Sequence, residues 1–266
     1  MRFGVCTSTR HMKALAEIGY DYIEYALCAL ADVDDDKLAE MLERQRESGI
    51  RVESCNNFFP GDFKLYATRE DGSEDVDGFE TVKQNVRDYV ENAFAKAQKL
   101  GITVTVLGSA GARTIPDGID RAVAERQFLQ ILRLCGEIGE KYGIVVTVEP
   151  LNYDSTNFIN TVAEGLAIAK AADHPSVQAM IDFYHHAYNG EPMAVIGETQ
   201  GMLAHVHLAR AADRKNPTLA DEVEIAERIE ALRAIGYDGR ISLECHFGDD
   251  FLEQARESYL LLKKFK

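Results

Sequence analysis

Four strand-like runs in the second half of the chain each end on a side chain able to hold a metal: Glu149 after VVTV, Asp182 closing VQAMID, His207 in LAHVHL and Glu244 after ISL. Read with the period of two that a strand imposes, each run puts its candidate on one face and aliphatic residues on the other. Val145, Thr147 and Glu149 oppose Val146 and Val148, while Gln178, Met180 and Asp182 oppose Val177, Ala179 and Ile181. His205 and His207 oppose Ala204, Val206 and Leu208, and Ser242 and Glu244 oppose Ile241, Leu243 and Cys245. Neighbouring strands lie about 4.8 Å apart, so side chains from consecutive strands can converge on one ion. Three carboxylates crowded together repel one another and rise in pKa unless a cation neutralises them. Oxygen-rich ligation with one imidazole suits a single divalent ion, Mn2+ favoured, with Mg2+, Co2+ or Zn2+ as alternatives. Taken singly, each residue also reads as an ordinary polar strand end; it is the four together, each at the last inward position of its strand, that point to a metal.

Further candidates surround that set. His185, in DFYHH just past Asp182, could donate a hydrogen bond to a ligand; His186 competes for that role, and one of the pair is expected to be merely solvated. His205, one layer below His207, reads as a satisfied interior histidine. Glu24 at the end of the second strand, and Asn56 and Asn57 at the end of the third, either line the mouth or are polar strand ends with no ligand. The loop GSAGAR could hold an oxyanion or hydroxyls through its N–H groups, Ser109 and Arg113, or it is a plain turn, because both need glycine. Phe58, Phe59 and Tyr66 either wall the pocket or pack as core.

Positioning such a set requires parallel strands with their carboxyl ends together. RFGVCTS reads as a first strand and is followed by a short helix around His11–Ile18; YDYIEYAL, IRVESCNNF and ITVTVLG read as the second, third and fourth strands. Helices are expected after each, with Gly49, Gly101 and Gly143 as their stops. The remaining helices fall over Thr161–Ala172, near Glu191–Thr199, over Asp221–Ile235 and over Asp249–Lys263, and the eighth strand ends near Glu244–His246. A long polar loop, FPGDFKLYATREDGSEDVDG, is too long for an idle connector and is expected to fold over the mouth. Eight strand–helix alternations without a linker predict an α/β chain, a single (β/α)8 TIM barrel over residues 1–266. A doubly wound open sheet is the runner-up, but no G-x-G-x-x-G follows the first strand.

Composition narrows the partners. The chain of 266 residues has a net charge of −15, which disfavours nucleic acid. Its five cysteines are scattered without a C-x-x-C, as reduced thiols of a cytoplasmic protein would be. No signal-peptide stretch opens the sequence and no run of about 20 apolar residues occurs, so no membrane partner is expected.

In the order GYDYIEY, NNFFPGD, GSAGAR, VEPLN, DFYH, HVHLA and GYDGRISLE, the chain resembles the xylose-isomerase-like barrel superfamily. Within it, the likeness is to the sugar isomerase/epimerase branch of ketose 3-epimerases and hydroxypyruvate isomerases. The resemblance implies a metal held by Glu149, Asp182, His207 and Glu244, with the two glutamates also moving protons and His185 binding a substrate hydroxyl. It implies an isomerase or epimerase of a ketose or short oxo-acid, 3-epimerase-like, in a family whose barrels often pair as homo-oligomers. Asn57, Ser109, Arg113 and Arg214 complete the candidate substrate contacts. One departure stands out: those epimerases usually carry arginine six residues after the metal histidine, where this chain has Asp213, with Arg214 one step later and Arg210 nearer. The alternatives are a hydrolase or lyase using a metal-bound water, and a sugar-binding barrel without catalysis. Seven histidines and a charge of −15 oppose the DNA-repair endonucleases of the superfamily.

Overall fold

Eight strands build the sheet: β1 (Arg2–Cys6), β2 (Tyr22–Ala26), β3 (Arg51–Asn56), β4 (Val104–Leu107), β5 (Val145–Val148), β6 (Val177–Asp182), β7 (Leu203–Leu208) and β8 (Arg240–Leu243). In the computed structural model, which describes residues 1–266, all pair parallel in sequence order and β8 closes on β1. Parallel neighbours require crossovers. These are supplied by α1 (Met12–Ile18), α2 (Leu27–Ala31), α3 (Asp35–Ser48), α4 (Val76–Leu100), α5 (Ala110–Arg113), α6 (Arg121–Tyr142), α7 (Val162–Ala172), α8 (Phe183–Tyr188), α9 (Glu222–Ala234) and α10 (Phe251–Leu262). The chain is a (β/α)8 TIM barrel. No helix is long and apolar enough to cross a membrane.

Local chemistry accounts for the boundaries. Asp34, Asp75 and Asp120 cap α3, α4 and α6 by accepting from backbone N–H groups, and Thr161 with Glu164 forms a capping box on α7. Gly49 and Gly101 end α3 and α4 at φ +77° and +85°, as their positions in the sequence predict. The helix expected near Glu191–Thr199 is instead a 3-10 helix, Met193–Thr199, because the stretch between Pro192 and Gly201 is too short to sustain α-helical pairing. β8 stops at Leu243, short of the expected Glu244–His246, although Glu244 N–H still donates to Leu208 O at 3.2 Å and prolongs the ladder.

The long loop after β3 is anchored by aromatic packing. Phe58 and Phe59 are buried, and the Phe59 ring stacks on Phe63 at 4.7 Å, so these rings serve as core. Tyr66 Oη donates to Arg113 O at 2.7 Å, and the Gln127 amide pairs with both the N–H and the carbonyl of Ala67. The loop is thereby fastened to the rim beside α5 and α6.

At the amino-terminal end of the barrel, Glu53 receives Arg2 and Arg240. One layer up, Tyr22 Oη bonds Ser242 Oγ at 2.8 Å, and its ring occupies the space in front of Gly4: a Cβ on Gly4 would lie 2.3 Å from the ring. Gly4→Ala should therefore overpack the barrel floor and lower stability by about 1–3 kcal/mol. Denaturant unfolding would read this directly, and an unchanged midpoint would contradict this account of the floor.

Candidate metal centre

Asp182 is at once the last residue of β6 and the N-cap of α8. Its Oδ1 accepts from Tyr184 N–H at 2.7 Å and His185 N–H at 3.4 Å, which fixes the carboxylate and leaves Oδ2 buried without a partner. His207 projects inward from β7, with Nε2 2.9 Å from Oε1 of Glu24 in the middle of β2. Its other nitrogen, Nδ1, lies 3.4 Å from Glu149 Oε1 and 3.5 Å from Glu244 Oε2. Both glutamates follow directly on their strands, and Glu149 N–H continues the ladder to Leu107 O at 3.2 Å.

One ligand atom from each of Glu149, Asp182, His207 and Glu244 lies within 4.8 Å of the other three. Glu149 Oε1, Asp182 Oδ2 and His207 Nδ1 are buried and have no hydrogen-bond partner. Buried polar atoms nearly always find one, and a cation drawing lone pairs from all three is the partner this set fits.

Glu24 lies beneath this group and accepts from Ser54 Oγ at 2.7 Å, His205 Nε2 at 2.7 Å and His207 Nε2 at 2.9 Å, with Ser242 as a further donor. Burial alone would raise its pKa, but the charges and hydrogen bonds of His205 and His207 outweigh that and hold it well below the carboxylate range. A carboxylate behind a metal-binding histidine sets the tautomer and turns the free nitrogen toward the ion. Burial pushes Asp182 up. Burial would push Glu244 up as well, but His207, Arg214 and Asn56 together hold it well below its usual value.

His185 is buried, and its Nδ1 accepts from Asn152 N–H at 3.1 Å. Burial lowers its pKa to about 4, so the ring is neutral near pH 7 and carries its proton on Nε2, 3.7 Å from Asp182 Oδ2. His186 is not solvated: it is buried, with Nε2 at 3.4 Å from Pro192 O. His205 is interior, as the sequence suggests, but only half satisfied: its Nε2 bonds Glu24, while its buried Nδ1 has no hydrogen-bond partner. Arg214, at φ +59°, lies over the Tyr184 ring at 5.1 Å and bonds Glu244, with Asp182 Oδ2 at 3.6 Å. Arg210 is paired with Asp213 at the surface, so of the two arginines only Arg214 enters the centre.

Three expectations for substrate contacts meet a different geometry. Asn57 is exposed at φ +46°, and it is Asn56 that donates to Glu244 Oε1 at 2.7 Å. The period-two rule, applied to β3, would have selected Asn56, which shares the inward parity of Ser54. Both asparagines line a cavity of about 290 Å³ with Cys6, Ser8 and Glu24. Ser109 Oγ accepts from Phe59 N–H at 2.8 Å, tying the loop after β3 to the loop after β4. Arg113 is fully buried and donates to the carbonyls of Leu107, Glu149 and Ile159, so its guanidinium is turned into the protein and not toward an oxyanion.

The model of the family described as xylose isomerase-like TIM barrel matches residues 12–265. The chain belongs to that family. Among its relatives, the xylose isomerase-like chain is 24% identical over 239 residues to D-psicose 3-epimerase of Ruminiclostridium cellulolyticum, covering 88% of this chain and 76% of that one. It is 26% identical over 244 residues to a putative hydroxypyruvate isomerase of Danio rerio, covering 88% and 83%. A solved structure of D-psicose 3-epimerase with D-tagatose from Clostridium cellulolyticum H10 superposes with a TM-score of 0.78 at 21% identity over 100% of this chain and 98% of that one. The 3-keto-D-glucoside 4-epimerase YcjR of E. coli superposes with a TM-score of 0.79 at 22% identity over 99% of both. Relatives of this kind identify the chain as an enzyme of the isomerase and epimerase class.

Glu24→Gln keeps the shape of the side chain but removes the charge behind His207. Its Mn2+ affinity, titrated calorimetrically, should fall about 10–100-fold with the fold retained by circular dichroism. Parent-like affinity would deny Glu24 a part in the centre.

Proposed function

We propose that the chain is a divalent-metal-dependent isomerase or epimerase of a ketose or short oxo-acid, with a 3-epimerase-like reaction favoured. The observation that carries this reading is the convergence of four ligand atoms within 4.8 Å, two of them from glutamates on non-adjacent strands. Glu149, Asp182, His207 and Glu244 would hold the ion, Mn2+ by preference for an oxygen-rich set with one imidazole. When bound, the ion supplies Lewis-acid polarisation of the substrate carbonyl and of the charge that develops as the α-proton leaves.

The chain's own residues do the rest. One of Glu149 and Glu244 takes the α-proton onto a carboxylate oxygen, and the other returns a proton. Return to the opposite face of the same carbon inverts it, whereas return to the neighbouring carbon exchanges ketose for aldose. The carboxylate that takes the proton must be ionised and the one that returns it must carry a proton; Glu244, kept ionised by His207, Arg214 and Asn56, suits the first role. His185 presents a neutral Nε2–H to a substrate hydroxyl, its orientation set by the amide of Asn152. Arg214 supplies a cation to the same oxygen-rich space, beside Tyr184. Asn57 and the 290 Å³ cavity it lines offer polar contacts for the far end of a sugar.

Incubation of free ketoses, ketose phosphates and short oxo-acids with the Mn2+-loaded enzyme in heavy water should show deuterium entering at carbon without bond cleavage. Glu149→Gln and Glu244→Gln should each cut that exchange by about two to four orders of magnitude while leaving the fold intact. Parent-like turnover in both variants rejects the assignment, and cleavage with solvent oxygen incorporated would favour a hydrolase.

A further inference from the structure

The loop after β4 bears on Glu149 in two independent ways. A Cβ built on Gly108 would lie 2.0 Å from Glu149 Oε2 and 3.1 Å from its carboxyl carbon, so the carboxylate runs through the volume where any other residue would carry a side chain. Gly108 is absent from the residues at positive φ, so alanine there meets a collision and no backbone strain. The atom it would strike is the far end of a flexible side chain, which can swing away at little cost to stability. Its place in the centre would then be lost.

Arg113, five residues on, grips the same glutamate from behind: Nη1 donates to Glu149 O at 2.7 Å and to Leu107 O at 3.3 Å. Leu107 O also accepts from Glu149 N–H, so a single guanidinium ties the ends of β4 and β5 together. A third carbonyl, that of Ile159, lies 3.5 Å from Nη2 and accepts from Leu151 N–H at 3.1 Å. Ile159 holds φ +60°, a conformation that a β-branched residue adopts only when its surroundings over-determine it.

We propose that Gly108 and Arg113 are positioning residues for Glu149: the first admits its carboxylate to the metal centre and the second fixes its backbone. This rests on the metal-centre reading above. The GSAGAR loop thus acts as a mount for a ligand and not as an anion cradle.

Calorimetric titration with Mn2+ alone, in Gly108→Ala, Glu149→Ala and the double variant, tests it. Gly108→Ala should melt within a few degrees of the parent yet bind Mn2+ at least about tenfold more weakly. In the Glu149→Ala background, where nothing remains to collide with, the same substitution should change the affinity no further. Equal loss in both backgrounds, or parent-like binding by Gly108→Ala, overturns the proposal. No Mn2+ binding by the parent overturns the metal reading itself, and this inference with it. Arg113→Met and Arg113→Lys, titrated below their melting temperatures, should both weaken binding, with lysine the milder; parent-like affinity in folded Arg113→Met overturns the role of that residue.

Discussion

Like charge confined in a small space is the constraint that organises this barrel. Glu24, Glu149, Asp182 and Glu244 all point into one end of it, and the first three are almost fully buried. Carboxylates removed from water and placed near one another cannot all stay ionised without compensation. The compensation is graded by depth. At the bottom, Glu24 is satisfied by two histidines and two serines. At the top, Arg214 from the loop after β7 and Asn56 from the end of β3 reach Glu244. Between them remain the unpartnered oxygens of Glu149 and Asp182 and the free nitrogen of His207. The middle layer is where compensation by the protein stops.

Each strand end solves a separate positioning problem. Asp182 is fixed by the helix it caps, His207 by the carboxylate behind it, and Glu244 by two donors, Asn56 and Arg214. Glu149 has no comparable hydrogen bond to its carboxylate; its backbone is gripped by Arg113 and its side chain passes over Gly108. His185 and Arg214 both face Asp182, one neutral and the other permanently charged.

The barrel and the convergence of the four strand-end side chains are legible in the sequence because both follow from alternation. Period two over β5 to β8 places the four residues on one face at the carboxyl ends of their strands, and no knowledge of the loops is needed. Loop residues were harder to read. Arg113 sits in a glycine-rich turn whose composition suits an anion, yet its guanidinium is directed at carbonyls, a matter of tertiary path that no local pattern records. Parity along β3 separates Asn56 from Asn57, but the adjacent pair reads alike in the sequence until the strand end between them and the positive φ of Asn57 are known. The burial of Phe58 and Phe59 was equally hidden, because it depends on where α4 passes, with Phe94 and Tyr89 supplying the facing rings.

The double duty of Asp182 has an implication for how such a barrel can be remodelled. Because one oxygen starts α8 and the other faces the centre, the junction between strand and helix has no slack. An added or deleted residue there would rotate the helix start and the ligand together. The segments following β3 and β4 reach the centre through Gly108 and Arg113, with Ser109 and packed rings joining the two loops, so length and composition can vary in their outer parts. Diversification by insertion therefore belongs on that flank of the rim, while the opposite flank is a template to be kept atom for atom.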